Sequence, residues 1–191
     1  IRNIIPGVIS VAPQAEAKLD AKVADRSSKS TVIGITPDIL NILNYSTEKG
    51  EFINSDHYER QLKVCVLGAT VSKELFGYEN PVSKSVKLGD QWFEVIGLME
   101  TKALFTETVG ELASRDLNND VYIPLSTLIK RIPKENPLES DIKQLTVHLK
   151  NSKDLIETSV VIRNIINRHH FNNEDFSIIV PYELMKQEGR E

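Results

Sequence analysis

Residues 62–77 read LKVCVLGATVSKELFG and carry the signals of a strand followed directly by a helix. The apolar run around Cys65 is typical of a strand, and ATVSKELF after it is typical of a short helix. Gly77 stands where helices commonly end, because glycine accepts the left-handed backbone that closes a last turn. This stretch therefore predicts a fold that combines strands with helices.

Cys65 is the single cysteine of the chain, so no internal disulfide bond can form. A thiol within an apolar strand usually packs as a small hydrophobic side chain. A catalytic thiol needs a neighbour that lowers its pKa, and Lys63, two residues away, could share a strand face with it. A buried structural role is the favoured interpretation of Cys65, and a nucleophile is the alternative.

Strand signals dominate the residues before this stretch. VISVAP and AEAKLDAKVAD predict one long, half-exposed strand, although the second segment also has a helix-forming composition. DRSSKS predicts a turn and STVIGIT a returning strand, so residues 8–36 are predicted to form a hairpin. TPDILNILNY predicts a helix, with Thr36 as N-cap and Pro37 at its first position, that is broken at Gly50. NSDHYERQ is predicted to be a polar connection.

The residues after the opening stretch add a second hairpin. In KSVKLGDQWFEVIGLME, Gly89 and Asp90 separate two β-rich runs, which is the signature of a tight turn. Residues 101–119 are polar and predict a loop with a short helix, and VYIPLSTLIKRI predicts one strand and one helix. KENPLESD predicts a link at a subdomain boundary.

The last fifty residues predict a βαβ unit. QLTVHLK and DFSIIVP predict its two strands. Between them, SKDLIETSVVIRNIINRHH predicts a helix with Ser152 as N-cap and with Leu155, Ile162, Ile165 and Ile166 on one side. The connection should be right-handed and the strands parallel if they share a sheet. The sequence as a whole predicts a mixed α+β fold.

Composition limits the class of protein. The 191 residues are 40% hydrophobic and 26% charged, which suffices for one large domain or two small ones. A net charge of −4 argues against a general nucleic-acid binder, which normally has a basic face. No apolar run approaches the roughly 18–20 residues of a membrane span, and we find no signal peptide. Because the chain starts at Ile1 in mid-phrase, we expect it to be a piece of a larger protein.

RHHFNNEDF, residues 168–176, combines two adjacent histidines with two acidic residues. His169 and His170 point about 100° apart on a helix, so they cannot easily bind one metal ion together. A helix end followed by an asparagine-rich turn is the favoured interpretation, because positive charge is stabilised at helix C-termini. A metal or acid/base site is the alternative.

The remaining histidines, His57 and His148, are expected on the surface. The charged neighbours of His57, namely Asp56, Glu59 and Arg60, are expected to form a solvated face. Nothing in the spacing links these residues to each other or to RHHFNNEDF, although a cluster formed by the tertiary structure stays open.

Trp92, beside the Gly89–Asp90 turn, is either a ligand platform or, more commonly, a cross-strand packing residue. Asp116 and Asp120 resemble a fragment of a calcium loop, but the required glycine and glutamate spacing is wrong. The sequence contains no GxGxxG or GxxxxGK[ST] phosphate loop and no GxSxG, HExxH or CxxC motif. No catalytic, cofactor-binding or metal-binding residue is therefore assigned.

Seven phrases in order resemble one family. They are IPGVISVAPQ, VIGITPDILNILN, KGEFI, KVCVLGATVSKELFG, NPVSKSVKLGDQWFEVIGLME, DVYIPLSTLIKRI and RHHFNNEDFSIIV. Together they resemble the periplasmic (extracytoplasmic) core domain of MacB-type ABC transporter permeases, over essentially all 191 residues. Ser83 departs from the pattern, because the family commonly has the glycine of NPVGK there. If that glycine relaxes a turn, serine should be tolerated at a modest cost in backbone strain.

The resemblance implies a fold of two lobes. A βαβ-type porter lobe would comprise residues 1–60 and 141–191, and an inserted small α/β sabre lobe would comprise residues 61–140. It also implies that this segment is no enzyme and holds no cofactor, because the ATP-hydrolysing domain, with its ATP and Mg²⁺, would lie outside the chain.

The implied function is mechanotransmission: ATP-driven motion is relayed to substrate export in a tripartite efflux system. The implied partners are a periplasmic adaptor (membrane fusion) protein, a second permease copy and, indirectly, an outer-membrane exit duct, with no nucleic acid. The implied location is the periplasmic side of the bacterial inner membrane, within a multi-pass membrane protein. Two alternatives stay open: a ligand-sensing or signalling module of a related permease, and a soluble hydrolase that uses His169, His170 and Asp175.

Overall fold

The structure is a computed structural model that describes residues 5–39, 42, 46–101, 116–134, 140–151, 154–169 and 176–178. Its strands are β1 (Val8–Val23), β2 (Arg26–Ile35), β3 (Thr47–Gly50), β4 (Val64–Leu67), β5 (Ser85–Leu88), β6 (Gln91–Met99), β7 (Asp120–Pro124) and β8 (Gln144–Leu149). Its helices are α1 (Ser55–Glu59), α2 (Ala69–Phe76), α3 (Leu125–Arg131) and α4 (Leu155–His169), with a 3₁₀ turn at Leu117–Asn119. The predicted mixture of strands and helices is confirmed.

Six strands follow one another around a closed ring, in the order β1–β2–β7–β4–β6–β5 and back to β1. The β2–β7 and β4–β6 pairs are parallel, and the other four pairs are antiparallel. β3 pairs with β6 outside the ring, and β8 is the further neighbour of β1. Closure pairs the strand edges that an open sheet would leave exposed.

The inward side chains of the ring pack with α2 and α3 in one apolar cluster, which we call the inner cluster. Its fully buried strand residues include Ala21, Val32, Cys65, Leu67, Val86, Leu88, Val95, Val121 and Ile123. Val71 of α2 and Leu125 of α3 belong to the same cluster. Period-two alternation explains why these residues meet, because every second side chain of a strand faces the same side.

A second apolar cluster lies on the other face of the strands, and we call it the outer cluster. It joins Ile33, Ile35, Val66, Met99 and Tyr122 to Ile39, Phe52 and Ile53, which come from outside the ring. β4 therefore has Cys65 and Leu67 in one cluster and Val66 in the other, and all of its residues are buried. Burial on both faces explains the uninterrupted apolar sequence of β4.

The predicted hairpin of residues 8–36 is confirmed, but its turn lies elsewhere. The pairing of β1 with β2 extends to Val23 and Arg26, so the turn consists of Ala24 and Asp25 alone. Ser28 and Ser30, predicted within the turn, lie in β2 and are buried. Small hydroxyl side chains fit the inner face there, and the Ser30 hydroxyl donates to the Leu19 carbonyl at 2.7 Å.

Two short elements replace predicted irregular segments. Gly50 ends a strand, β3, rather than a helix, and a Cβ at Gly50 would lie 2.1 Å from the Ile96 carbonyl oxygen. The predicted polar connection after it contains the five-residue helix α1. Neither element is long enough to show a periodic pattern, so tertiary pairing and capping decide both. Of the predicted helix at residues 36–45, Ile39 and Ile42 are helical and residues 40, 41 and 43–45 lie outside the described ranges.

The strand and helix predicted for residues 62–77 are confirmed, and so are the hairpin, strand and helix predicted after them. β4 and α2 occupy LKVCVLGATVSKELFG, and α2 is followed by Gly77 at φ +66°. β5 and β6 form the hairpin with Gly89 at φ +56°, and β7 with α3 occupies VYIPLSTLIKRI. Residues 102–115 and 135–139, which hold most of the predicted loop and link, are outside the described part of the chain.

The predicted βαβ unit is confirmed in its first strand and its helix, β8 and α4. Leu155, Ile162, Ile165 and Ile166 are all half-buried, as one helix side should be. Phe176, Ser177 and Ile178, predicted in the second strand, are not in a strand. The proposed N-cap Ser152 and residues 179–181 lie outside the described ranges.

Contacts divide the chain into two compact units. One contains residues 1–11, 105–114 and 147–191, and the other contains residues 12–104 and 115–146. Both apolar clusters belong to the second unit. The lobe boundaries proposed from the sequence stay a prediction. Within the described residues, no helix is both long enough and apolar enough to cross a bilayer.

Candidate functional site

His57 does not lie on the surface as predicted, because its side chain is only 11% exposed. It occupies the third position of α1 and forms a reciprocal capping box with Asn54. The Asn54 Oδ1 atom accepts from the His57 backbone N–H at 3.1 Å, and the Asn54 N–H donates to the imidazole Nδ1 at 3.3 Å. The ring's other nitrogen, Nε2, lies 3.8 Å from Oε1 of Glu51.

The sequence analysis did not predict this capping box, although the spacing of its two residues is a signal for one. A capping box normally joins Ser or Thr to Glu or Gln three residues later. Asn54 and His57 have the same spacing and can make the same two hydrogen bonds. The charges beside them do form a solvated face: Arg60 pairs with Asp56 at 3.2 Å, and both side chains are more than half exposed.

The C-terminal end of α1 is tied to α3 by three hydrogen bonds. The Ser126 hydroxyl donates to the Tyr58 carbonyl at 2.5 Å, and the Thr127 hydroxyl donates to the Leu62 carbonyl at 2.9 Å. The Lys130 ammonium donates to Oε1 of Gln61 at 2.6 Å. The C-terminal end of α1 is therefore held by a neighbouring helix.

The predicted structural role of Cys65 is confirmed by its burial, since the residue has no exposed surface. Removal from water raises the pKa of the Cys65 thiol, and the negative charge of Glu94 adds to the effect. A thiol with a raised pKa is a poor nucleophile at neutral pH. Lys63, the proposed activating neighbour, instead donates to Oε1 of Gln91 at 3.2 Å.

Asp116 and Asp120 have separate structural surroundings. Asp116 begins the 3₁₀ turn and accepts from the Asn118 N–H at 2.9 Å. Asp120 is fully buried at the start of β7 and accepts from the Tyr122 hydroxyl at 3.3 Å. Among the residues that the structure describes, no three His, Cys, Asp or Glu side chains come together as a metal site would require.

Trp92 is 55% exposed on the outward face of β6. Its register partner on β5 is Lys87, whose own partner on β1 is Lys22. The ligand platform and the cross-strand packing residue both stay predictions for Trp92. His148, the other histidine with a described side chain, is half-buried in β8.

RHHFNNEDF begins as predicted, because α4 extends to His169. Residues 170–175, which include His170 and Asp175, lie outside the described ranges. Phe176 packs against α4, where the guanidinium carbon of Arg163 lies 5.9 Å from the ring centroid. The two side chains form a cation–π contact.

Two shallow grooves lie in the second unit. The larger, of about 370 Å³, is lined by polar residues of β1, β2 and the 3₁₀ turn, among them Lys29, Thr31 and Asn119. The smaller, of about 260 Å³, has an apolar wall that includes Ile129 and Ile132. Both are open surface depressions rather than enclosed cavities.

Two solved structures share the fold of this chain. The extracellular domain of the noncanonic transporter YknZ from Gram-positive bacteria matches with a TM-score of 0.74 at 18% identity, over 93% of this chain and 84% of that one. The periplasmic region of MacB from Actinobacillus actinomycetemcomitans also matches with a TM-score of 0.74 at 18% identity, over 99% and 79% of the two chains. The chain therefore has the fold of these two extracytoplasmic domains.

Sequence comparison shows the family to which the chain belongs. The model of the MacB-like periplasmic core domain matches residues 1–165, and the chain belongs to that family. The macrolide export ATP-binding/permease protein MacB of Bdellovibrio bacteriovorus is 23% identical over 170 residues, which are 89% of this chain and 24% of that protein. The ABC transporter permease YknZ of Bacillus subtilis is 20% identical over 186 residues, which are 97% of this chain and 44% of that protein.

The chain therefore spans about a quarter of the MacB protein and less than half of YknZ. It is the periplasmic core domain of a MacB-like ABC transporter permease, and the family resemblance and the periplasmic location predicted from the sequence are confirmed.

Proposed function

We propose that this domain relays ATP-driven motion of its permease to substrate export and docks a periplasmic adaptor protein. The observation that carries the proposal is the family match over residues 1–165. The closed strand ring, with apolar clusters on both faces, suits this role. Close-packed interiors have low compressibility and transmit displacement rather than absorb it.

The proposal includes parts outside this chain. ATP and Mg²⁺ would be bound by an ATP-hydrolysing domain elsewhere in the transporter, and a second permease copy would complete a dimer. The adaptor would connect the domain indirectly to an outer-membrane exit duct. Porter and sabre lobes, with residues 1–60 and 141–191 in the first and 61–140 in the second, are the proposed division of labour within the chain. We further propose that the segment itself catalyses no reaction.

A segment exchange tests adaptor docking. Residues 1–165 of the intact permease would be replaced by the matching segment of a MacB-like permease that works with a different adaptor. We expect the exchanged permease to co-purify with the donor's adaptor and to keep its ATP hydrolysis, because docking would be determined by this domain. The reciprocal exchange is the matched control.

Two results would contradict the proposal. One is co-purification with the original adaptor after both exchanges, which would place docking elsewhere in the permease. The other is export that continues at the normal rate when the domain is deleted, together with tight small-molecule binding by the isolated 191-residue chain. That second result would favour the ligand-sensing module instead.

A further inference from the structure

His57 is placed between two groups that require different protonation states of its ring. A backbone N–H can only donate, so the Nδ1 atom that accepts from Asn54 at 3.3 Å carries no proton. The single proton of the neutral imidazole must then be on Nε2, which faces the Glu51 carboxylate at 3.8 Å. The hydrogen bond from the Asn54 N–H to the ring therefore exists only with neutral His57, whereas the bond from the His57 N–H to Asn54 Oδ1 does not involve the ring.

Protonation of Nδ1 would place two donors against each other. The imidazolium has an N–H at both nitrogens and no acceptor, so it cannot receive the Asn54 N–H. The same positive charge would gain attraction from Glu51, which is 3.8 Å from the ring and 62% exposed. Acid thus removes the hydrogen bond from Asn54 to the ring and strengthens the attraction between the ring and Glu51.

We propose that His57 is an acid-sensitive latch on α1, an inference that goes beyond the mechanical role proposed above. The neutral ring holds the first turn of α1 through Asn54. A proton taken from solvent at Nδ1 breaks that hydrogen bond, and the charged ring turns towards Glu51. Histidine suits such a device because its charge ordinarily changes between pH 5 and pH 8.

The charged groups around the ring support a local event. Glu51 faces it from the segment that follows β3, and on α1 the charges of Asp56 and Arg60 are paired with each other. On the neighbouring helix α3, Lys130 is bound to Gln61 at the opposite end of α1. Because α3 holds that end, we expect release to loosen the first turn of α1 without unfolding the helix from its neighbour.

Nuclear magnetic resonance of the 191-residue chain tests the latch between pH 8 and pH 5. We expect the Nε2–H tautomer of His57 at pH 8. On acidification, ring protonation and the amide shift of Asn54 should follow the same titration curve. Protection of the Asn54 amide from hydrogen exchange, relative to its intrinsic rate, should fall about fivefold, as the loss of one capping interaction implies. The amide of Gly68, bound to the Asp120 carbonyl at 2.8 Å, is the internal control and should not change.

His57→Gln is the matched variant, because glutamine at this position can make the same capping bond and cannot titrate. We expect its Asn54 amide to be insensitive to pH over this range. An equal acid response of Asn54 in His57→Gln would overturn the proposal. So would protonation of the wild-type ring without any change at Asn54, or an Nδ1–H tautomer at pH 8. None of these outcomes depends on adaptor docking, so the latch can fail while the proposed function stands.

Discussion

At the scale of single residues, Ser83 shows how a departure from the family pattern takes effect. Its φ is +67°, in the left-handed region that glycine favours. The Lys84 N–H donates to the Pro81 carbonyl at 3.1 Å, so Ser83 is the third residue of a four-residue turn. A positive φ at that position is the mark of a type II turn. A turn at NPVSK is thus confirmed, and its strain at Ser83 stays a prediction.

Replacing Ser83 by glycine should therefore stabilise the domain. Relief of left-handed strain gains about 1 kcal/mol, and the greater freedom of glycine in the unfolded chain offsets about half of it. We expect the free energy of unfolding to rise by about 0.5 kcal/mol, measured by urea denaturation. Ser83→Ala, which keeps the Cβ atom, is the control. A glycine variant less stable than the alanine variant would show that the turn is not strained.

His57 is the residue where sequence interpretation was wrong for a physical reason. A histidine flanked by Asp56, Glu59 and Arg60 has the composition of an exposed face. The low exposure of its side chain comes with the capping box, in which the ring folds back over the start of α1. Composition alone could not show which of these neighbours faces solvent.

At the scale of elements, the junction of β4 and α2 depends on Gly68. Its N–H donates to the Asp120 carbonyl at 2.8 Å, and a Cβ there would lie 2.3 Å from the Asn118 carbonyl oxygen and 2.7 Å from that of Asp120. Both are backbone atoms, which cannot rotate away. Strand β4 can therefore lead into α2 beside the 3₁₀ turn only if residue 68 has no side chain.

Gly68→Ala should destabilise the domain by about 2–3 kcal/mol, the usual cost of overpacking against atoms that cannot move. Gly34→Ala is the matched control, because its Cβ would meet no backbone atom closely: the nearest atoms belong to the Leu125 and Leu128 side chains at 3.1 Å, and a shift of a few tenths of an ångström relieves the contact. We expect the control to cost about 1 kcal/mol or less. Urea denaturation of both variants measures the difference, and equal losses would mean that the 3₁₀ turn moves to accommodate the methyl group.

Elements with strong local signals could be predicted from the sequence. Elements that form only because another segment pairs with them or caps them could not. β4, α2 and the β5–β6 hairpin have apolar runs, glycine stops or a two-residue turn within their own sequence. β3 exists because it pairs with β6, and α1 because Asn54 and His57 cap it. Short segments of this kind have too few residues for a periodic pattern.

At the scale of the whole molecule, the sequence interpretation of RHHFNNEDF leads to a test of metal dependence. Adjacent histidines on a helix point in different directions, so no metal should contribute to folding. We expect EDTA to change the melting temperature by less than about 1 °C, because only a ligand bound to the native state raises it. Thermal unfolding with and without the chelator measures this. A drop of several degrees that zinc reverses would revive a metal site at His169 and His170.

The sequence by itself determined the mixed fold class and most of the strands, because buried strands and tight turns leave their signature within a few neighbouring residues. It determined the family through the resemblance of its ordered phrases. Only the tertiary structure decided that six strands close into a ring, that Ser28 and Ser30 lie inside it, and that His57 bridges Asn54 and Glu51. These features join residues through pairing and packing rather than through local preference. Ring closure, for example, requires β2 to pair with β7, in which Thr31 is the register partner of Asp120, almost ninety positions later in the chain.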